Sequence, residues 1–395
     1  MKIGILTSHP IQYQAPLFQA LAAEVDLEVF YAYRQTSGDQ ARAGYGVEFE
    51  WDVDLLSGYA YRFLQSRTKN PNVRSFWGCD TPEIAGMIRA GQFDAFLVLG
   101  WHLRPYWQAI RACRRHGVPV FVRGDSQLNT KRSLPLRAAK ELVYRWVMRQ
   151  FDGFLYVGKR NLEYLRHYGA PREKCFFTPH FVDNGRFREQ SAMTAIERQE
   201  VRSSLGASHG ELLILSVGRL VDMKRPLDII RAAYILKSTG PAARVAFVGA
   251  GPLEKEIRFK AQTLGVPVTL AGFRNQSELP RIYAAADIFV LSSCAEETWG
   301  LVVNEAMACG VPAVVSDAAG CSEDLIVSGK TGEIYPMGDL PRLALAIAKT
   351  AGMRETPGSR EELQKTMSVY SLETSLEGIR EAVSSLGRTK ESSPS

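Results

Sequence analysis

Short apolar runs rich in β-branched and aromatic residues recur along this chain, each followed by a segment with helical spacing. In the first half they are KIGIL (2–6), LEVFYAY (27–33), FDAFLVLG (93–100), VPVFVRG (118–124) and FDGFLYVG (151–158), with amphipathic stretches such as 14–23 and 104–116 between them. Strands and helices in regular alternation predict a parallel sheet covered on both faces. After TPHFVDNGRF (178–187) comes a polar, charged stretch, and the alternation then starts afresh with LLILSVG (212–218), RVAFVGA (244–250), VTLAG (268–272), IFVLSS (288–293) and PAVVSD (312–317). The expectation is an α/β chain of two Rossmann-like, doubly wound parallel-sheet domains, 1–185 and 186–370. Residues 371–395 then add a helix that packs back on the first domain and a loose tail. Two such sheets facing one another make a cleft, and ligands of doubly wound sheets sit outside the carboxyl ends of the strands.

A length of 395 residues suits two cores better than one, and 46% hydrophobic with 23% charged residues is a globular balance. The longest apolar runs, such as AFLVLGW at 95–101, fall well short of the ~20 residues of a spanning helix. MKIGILTSHP turns polar at Thr7 and reads as a first strand, not a signal peptide, so a cytoplasmic location is expected. The six cysteines contain no C-x-x-C pair, which points to reduced thiols and away from a disulfide framework or a zinc site. A net charge of +6 admits nucleotide phosphate, anionic lipid or nucleic acid as partner and chooses none of them. No motif asks for nucleic acid, and none is expected.

The stretch EETWGLVVNEAMACGVPAVVSD (296–317) sets two acids, Glu297 and Glu305, eight positions apart. IFVLSS should be a strand, CAEETWG the loop at its carboxyl end, and LVVNEAMAC a short helix stopped by Gly310. Glu297 then lies at the cleft and Glu305 about one turn into the helix. The helix N-terminus, at residues 300–303, offers backbone N–H groups to an anion such as a diphosphate. A carboxylate accepts hydrogen bonds from the two adjacent hydroxyls of a ribose. One acid for the ribose, a helix N-terminus for the phosphates and one acid for what lies beyond them describe a sugar-nucleotide site. In LSVGRLVDMKRP (215–226), a strand ends at Gly218, and Arg219 and Lys224 emerge at the same edge, where a guanidinium fork and a point charge could neutralise a departing diphosphate. FVGAGPLEKE (247–256) places Glu254 where the third glycine of a dinucleotide fingerprint would stand, which disfavours a nicotinamide enzyme.

VGRLVDMKRP, FVGAGP, LAGF (270–273), YAAADIFVLSS (283–293), ETWGLVVNEAMACGVPAVVSDAAG (297–320) and GKTGEIY (329–335) together resemble the retaining glycosyltransferases of family 4, a GT-B fold family with an E-x7-E motif. The resemblance is dense over roughly 210–340. It implies a GT-B fold and transfer of a sugar, with retained configuration, from a nucleotide-diphosphate sugar, by family habit a UDP-sugar. Gly218, Arg219 and Lys224 would hold the diphosphate. Glu297 and the backbone of Thr298, Trp299, Gly300 and Leu301 would contact donor sugar and phosphates, Glu305 the ribose and the segment around Phe273 the base. Relatives commonly carry Gly where Thr298 stands and Phe where Trp299 stands. Many also place a His six residues after the Pro of the strand beginning VPVFV; counted from Pro119, Asp125 stands there and would take that role toward the donor sugar.

In the first half, TSHPIQYQAP (7–16) replaces the Gly-rich loop of the family, so His9, Tyr13 and Gln14 are candidates for the acceptor side, as is His102 in GWHLRP. Ser-His-Asp spacing and G-x-S-x-G are both missing. Catalysis is therefore expected to rest on electrostatic stabilisation of the leaving diphosphate and on holding a hydroxyl acceptor on the same face, with no metal and no cofactor beyond the donor substrate. A sugar-nucleotide epimerase and a catalytically silent binding subunit are the competing readings. Residues 131–149 carry Lys131, Arg132, Arg137, Lys140, Arg145 and Arg149 against Glu141, interleaved with Leu134, Leu136, Leu142, Val143, Trp146 and Val147. Two readings of this helix stand: a peripheral element on the inner, anionic face of a membrane, with a lipid-linked acceptor in cell-surface glycan or glycolipid synthesis, or a helix packed on its sheet with a solvated basic face.

Overall fold

The computed structural model describes residues 1–42, 46–128, 134–238 and 240–391, with the backbone alone for 134–139 and 387–391. The chain forms two compact units. The first comprises Met1–Gln35, Asp54–His180 and the helix Leu372–Glu391; the second comprises Thr36–Val53 and Phe181–Ser371.

In the first unit the strands are β1 (Lys2–Thr7), β2 (Asp26–Tyr31), β3 (Ala60–Phe63), β4 (Ala95–Val98), β5 (Val120–Gly124), β6 (Gly153–Tyr156) and β7 (Cys175–Phe177). Among the described residues they form one sheet in the order β3-β2-β1-β4-β5-β6-β7, every pair parallel. The apolar runs are strands because both faces are covered: all four residues of β4 are buried, and Phe96, Val98, Val120 and Val122 pack with Tyr106, Ile110 and Cys113 of the helix Arg104–His116. The strand order reverses between β1 and β4, so Ser8–Gln14 and Gly100–His102 leave the sheet at the position where such folds take ligands. The C-terminal helix belongs to this unit through the Ser375 hydroxyl, which donates to the Pro179 carbonyl at 2.7 Å, and through an Arg380–Glu24 ion pair.

The second unit contains β8 (Leu212–Val217), β9 (Ala243–Val248), β10 (Val268–Leu270), β11 (Ile288–Leu291), β12 (Ala313–Ser316) and β13 (Gly332–Tyr335). Their order is β10-β9-β8-β11-β12-β13, again parallel, with the reversal between β8 and β11. Its core is Ile214, Val245, Phe247, Ile288, Val290 and Val314 beneath the helices Pro226–Leu236 and Leu340–Thr350.

Two features depart from the sequence reading. Thr36–Val53, placed within a first domain of 1–185, clusters with the second unit. The polar stretch after residue 187 holds a helix, Ala195–Ser204, started by a capping box in which Thr194 and Glu197 each bond the other's backbone N–H. Its Arg198 and Arg202 fork onto Asp287 at 2.7 and 2.9 Å. All six cysteines are free thiols; Cys294 is half-buried and the other five are buried. No helix among the described residues is long and apolar enough to cross a membrane.

Candidate active site

The loops leaving β8 and β11 lie side by side because those strands are neighbours. Gly218 follows β8 with φ +136°, a backbone conformation that a side chain would strain, and Lys224 lies against it. Half-buried Arg219 comes next, and the turn Asp222–Lys224 ends in Lys224. The second loop is stitched to this turn: the Ser292 hydroxyl donates to the Lys224 carbonyl at 2.7 Å, and Cys294 N donates to the Met223 carbonyl at 2.8 Å. So held, the Lys224 ammonium forms an ion pair with the Glu297 carboxylate, both mostly buried. The Ser293 hydroxyl donates to the same carboxylate oxygen at 3.0 Å. An ammonium has three N–H donors, so one bond to Glu297 leaves two to offer a ligand.

Gly300, at φ +108°, is the N-cap of the helix Leu301–Ala308, and it has no side chain with which to occupy the first-turn N–H groups. The helix therefore starts with donors and the positive end of its dipole at the residues that follow Glu297. Trp299 is turned inward. Its indole is buried, donates to Asn304 Oδ1 at 2.9 Å and packs on Tyr370, so only its backbone is presented with Thr298 and Leu301.

Glu305 lies one turn into this helix and is 7% exposed. Its carboxylate accepts from the Tyr283 hydroxyl at 2.6 Å and from Gln276 Nε2 at 3.4 Å. Burial pushes the carboxyl above its ordinary range, opposed by these two hydrogen bonds and by the charges of Arg186 and Lys224. Arg186 in turn fixes Gln276 through its carbonyl and its side-chain oxygen at 3.1 and 3.0 Å. Sequence reasoning did not give Arg186, Gln276 or Tyr283 a role. Tyr283 stands at the head of YAAADIFVLSS, but nothing local says that its hydroxyl meets an acid 22 positions on. Phe273, beyond Gln276, stacks on Phe49 with ring centroids 4.2 Å apart.

The first unit gathers a separate set. Asp125 follows β5, 45% exposed at its side chain, with its Oδ2 3.8 Å from His180 Nε2. His180 is buried beyond β7, and Tyr13 meets its ring edge-on at 5.9 Å. Burial lowers the His180 pKa, Arg123 reinforces the shift and Asp125 opposes it; burial likewise lowers that of His102, against the pull of Asp125. Tyr13, His102, Asp125 and His180 thus share one sheet edge. Arg123 is buried, with its pKa pushed down to about 10 by desolvation, and its guanidinium donates to the Thr178 and Pro179 carbonyls. It fixes the backbone ahead of His180. Gln14 is occupied internally, accepting from the Thr7 hydroxyl at 3.0 Å, and His9 Nδ1 lies 3.0 Å from the Ser8 hydroxyl.

Of the basic segment, Lys131 and Arg132 lie outside the described residues, as do the side chains of Leu134, Leu136 and Arg137 in the helix Leu134–Met148. The remainder has two apolar sides. Val147 and Met148 are buried in the core with Tyr144 packed on it, whereas Leu142, Val143 and Trp146 are 75%, 54% and 52% exposed.

Comparison with known proteins decides the fold. Residues 197–366 match the family of glycosyl transferases group 1. The fold is GT-B. It is similar to HepE of Anabaena, crystallised with UDP and glucose, at a TM-score of 0.70 and 18% identity over 98% of this chain and 100% of that one. By sequence the chain is similar to the sulfoquinovosyl transferase SQD2 of Arabidopsis thaliana, 34% identical over 42% of this chain and 33% of that protein. It is also similar to the D-inositol 3-phosphate glycosyltransferase of Nocardia farcinica, 33% identical over 59% and 52% respectively. The chain thus spans about a third to a half of the length of these curated relatives.

Proposed function

We propose that this protein is a retaining glycosyltransferase of family 4 that moves a sugar from a nucleotide-diphosphate sugar, with UDP-sugars preferred, to a hydroxyl acceptor without a metal ion. The observation that carries the reading is the Lys224–Glu297 pair at the β8/β11 switch point, beside the open N-terminus of Leu301–Ala308 and one turn from the buried Glu305. These groups match a donor from end to end: Glu305 accepts from the ribose hydroxyls, the helix N-terminus with Arg219 and Lys224 takes the diphosphate, and Glu297 faces the sugar. The UDP and glucose bound in HepE support this choice of donor. In the transfer, the bond from the anomeric carbon to the diphosphate breaks, one to the acceptor oxygen forms on the same face, and the acceptor hydroxyl's proton passes to the departing diphosphate. The work of the chain is to hold that face open to the acceptor and to stabilise charge on the leaving oxygens. Asp125, with Tyr13 and His102 at the edge of the first sheet, serves the transferred sugar and the acceptor.

The exposed Leu142, Val143 and Trp146, with Arg145 on the same helix and Arg149 just past its end, support a peripheral position on an anionic membrane and a lipid-linked acceptor of cell-surface glycan or glycolipid assembly. A thermal-shift panel of UDP-, GDP- and ADP-sugars tests the donor, since a ligand at 100 times its Kd stabilises by about 2.7 kcal/mol. The reading fails if none shifts the transition. Flotation with anionic vesicles tests the membrane: binding at low salt that weakens at high salt is expected, and no binding at either salt removes the lipid-linked acceptor.

A further inference from the structure

Residues 46–53 follow β2 and precede β3 in the chain, yet they lie along residues 273–277 of the second unit. The two segments run in step. Phe49 stacks on Phe273 at 4.2 Å with the rings 32° apart, the Glu50 carbonyl accepts from Asn275 Nδ2 at 2.7 Å, and the Asp52 carboxylate accepts from Ser277 N at 3.2 Å and from the Ser277 hydroxyl. Trp51 closes on Phe49 edge-on at 4.9 Å. A surface strap needs only polar bonds to follow a neighbour, whereas this one also commits two large aromatic side chains, half-buried, to a third in the unit it joins.

The place of that cluster gives it a purpose. Gln276, inside the strapped segment, donates to Glu305, the acid assigned to the ribose. Phe273 is three residues before Gln276, on the loop that follows β10. In a nucleoside diphosphate the group next to the ribose, away from the phosphates, is the base, and a base is a flat π system that stacks on aromatic rings. Polar anchors after Phe49 hold its ring in place, so a base landing there finds a surface already assembled.

We propose that the strap is part of the donor site: Phe49 and Phe273 together form the aromatic surface on which the nucleobase of the donor stacks, making Phe49 a base-binding residue contributed from outside the second sheet. This rests on the donor reading above, and the experiment separates the two. Calorimetric titrations with UDP, GDP, ADP and inorganic pyrophosphate are run on the wild type, F49A, F49L and F49W. Losing a stacking ring is expected to weaken the preferred nucleotide about 5- to 100-fold in F49A. F49L, which keeps bulk but no ring, should lose nearly as much, F49W should keep affinity, and pyrophosphate, which has no base, should bind all four alike. Unchanged nucleotide affinity in folded F49A, or equal losses for nucleotide and pyrophosphate, overturns the role of Phe49 and leaves the donor site standing. A wild type that binds none of the nucleotides overturns both.

Discussion

Lys224→Ala tests the diphosphate clamp most sharply, because Lys224 is tied to a second charged group. In the intact site its ammonium faces the Glu297 carboxylate, and both side chains are largely withdrawn from water. Removing one preorganised positive group from a leaving diphosphate costs on the order of 10²- to 10³-fold in turnover, about 3–4 kcal/mol. The same substitution strips Glu297 of its cation. At an effective dielectric of about 20, a carboxylate roughly 6 Å from a phosphate oxygen repels it by about 3 kcal/mol before relaxation. The lysine variant therefore bears two penalties, and the second vanishes once Glu297 is also removed. K224A should fall by at least 10²-fold in kcat/KM, E297A by less, and K224A/E297A should be no worse than K224A, a coupling of about 1–3 kcal/mol. The assay is steady-state kinetics with the donor that the sugar-nucleotide panel selects, on variants whose circular dichroism and melting match the wild type. Near-normal turnover in folded K224A, or a double variant that falls by the product of the single losses, refutes the shared role.

Glu305→Ala should weaken free nucleoside diphosphate about tenfold, one to two charge-assisted hydrogen bonds, whereas Glu297→Ala should leave that affinity nearly intact and harm turnover of the whole donor; titration calorimetry with equal losses in both would undo the division. Tyr283→Phe removes a donor from Glu305 and should destabilise by about 1.5–3 kcal/mol near neutral pH. Because burial already holds the Glu305 pKa above its unfolded value, stability is lost as pH rises through the folded pKa. The variant pushes that pKa higher, so its deficit in urea midpoint should shrink as pH falls below it, and a deficit independent of pH counts against the argument. Activity should survive excess chelator, with Arg219, Lys224 and the helix N-terminus supplying the positive potential; loss on chelation that magnesium or manganese restores would overturn the metal-free reading.

The central strands of the two sheets were legible because they are buried and read as unbroken apolar runs; β4, β5, β11 and β12 lie within the segments that the runs marked, whereas the exposed edge strand β3 carries no such run. What escaped was set by partners distant in sequence. Nothing in GVEFEWDV announces that Phe49 meets a ring 224 positions away, since polarity and aromatic content describe a surface loop equally well wherever it docks. The helix Ala195–Ser204 was hidden for a related reason: its anchoring residues are arginines, which look like solvent-facing charge until Asp287 is brought beneath them. In the basic segment the two readings meet: Tyr144, Val147 and Met148 face the core while Leu142, Val143 and Trp146 face outward, so packing on the sheet and exposing an apolar surface are compatible.

Glu297 and Glu305 show how far spacing carries and where environment takes over. Eight residues apart, one falls in a loop and one on the first full turn of a helix, and both follow from the strand–loop–helix pattern alone. Their chemistry does not follow from it. Glu297 is held by an ammonium and a serine hydroxyl, so its charge is balanced in place. Glu305 is held by a phenol and an amide, both neutral, and burial raises its pKa despite them. A neutral pair of donors leaves a carboxylate short of stabilisation and ready to accept more hydrogen bonds, the property that the proposed ribose contact requires. The same reasoning gives Gln276 its importance, because it links Glu305 to the segment along which Phe49 lies.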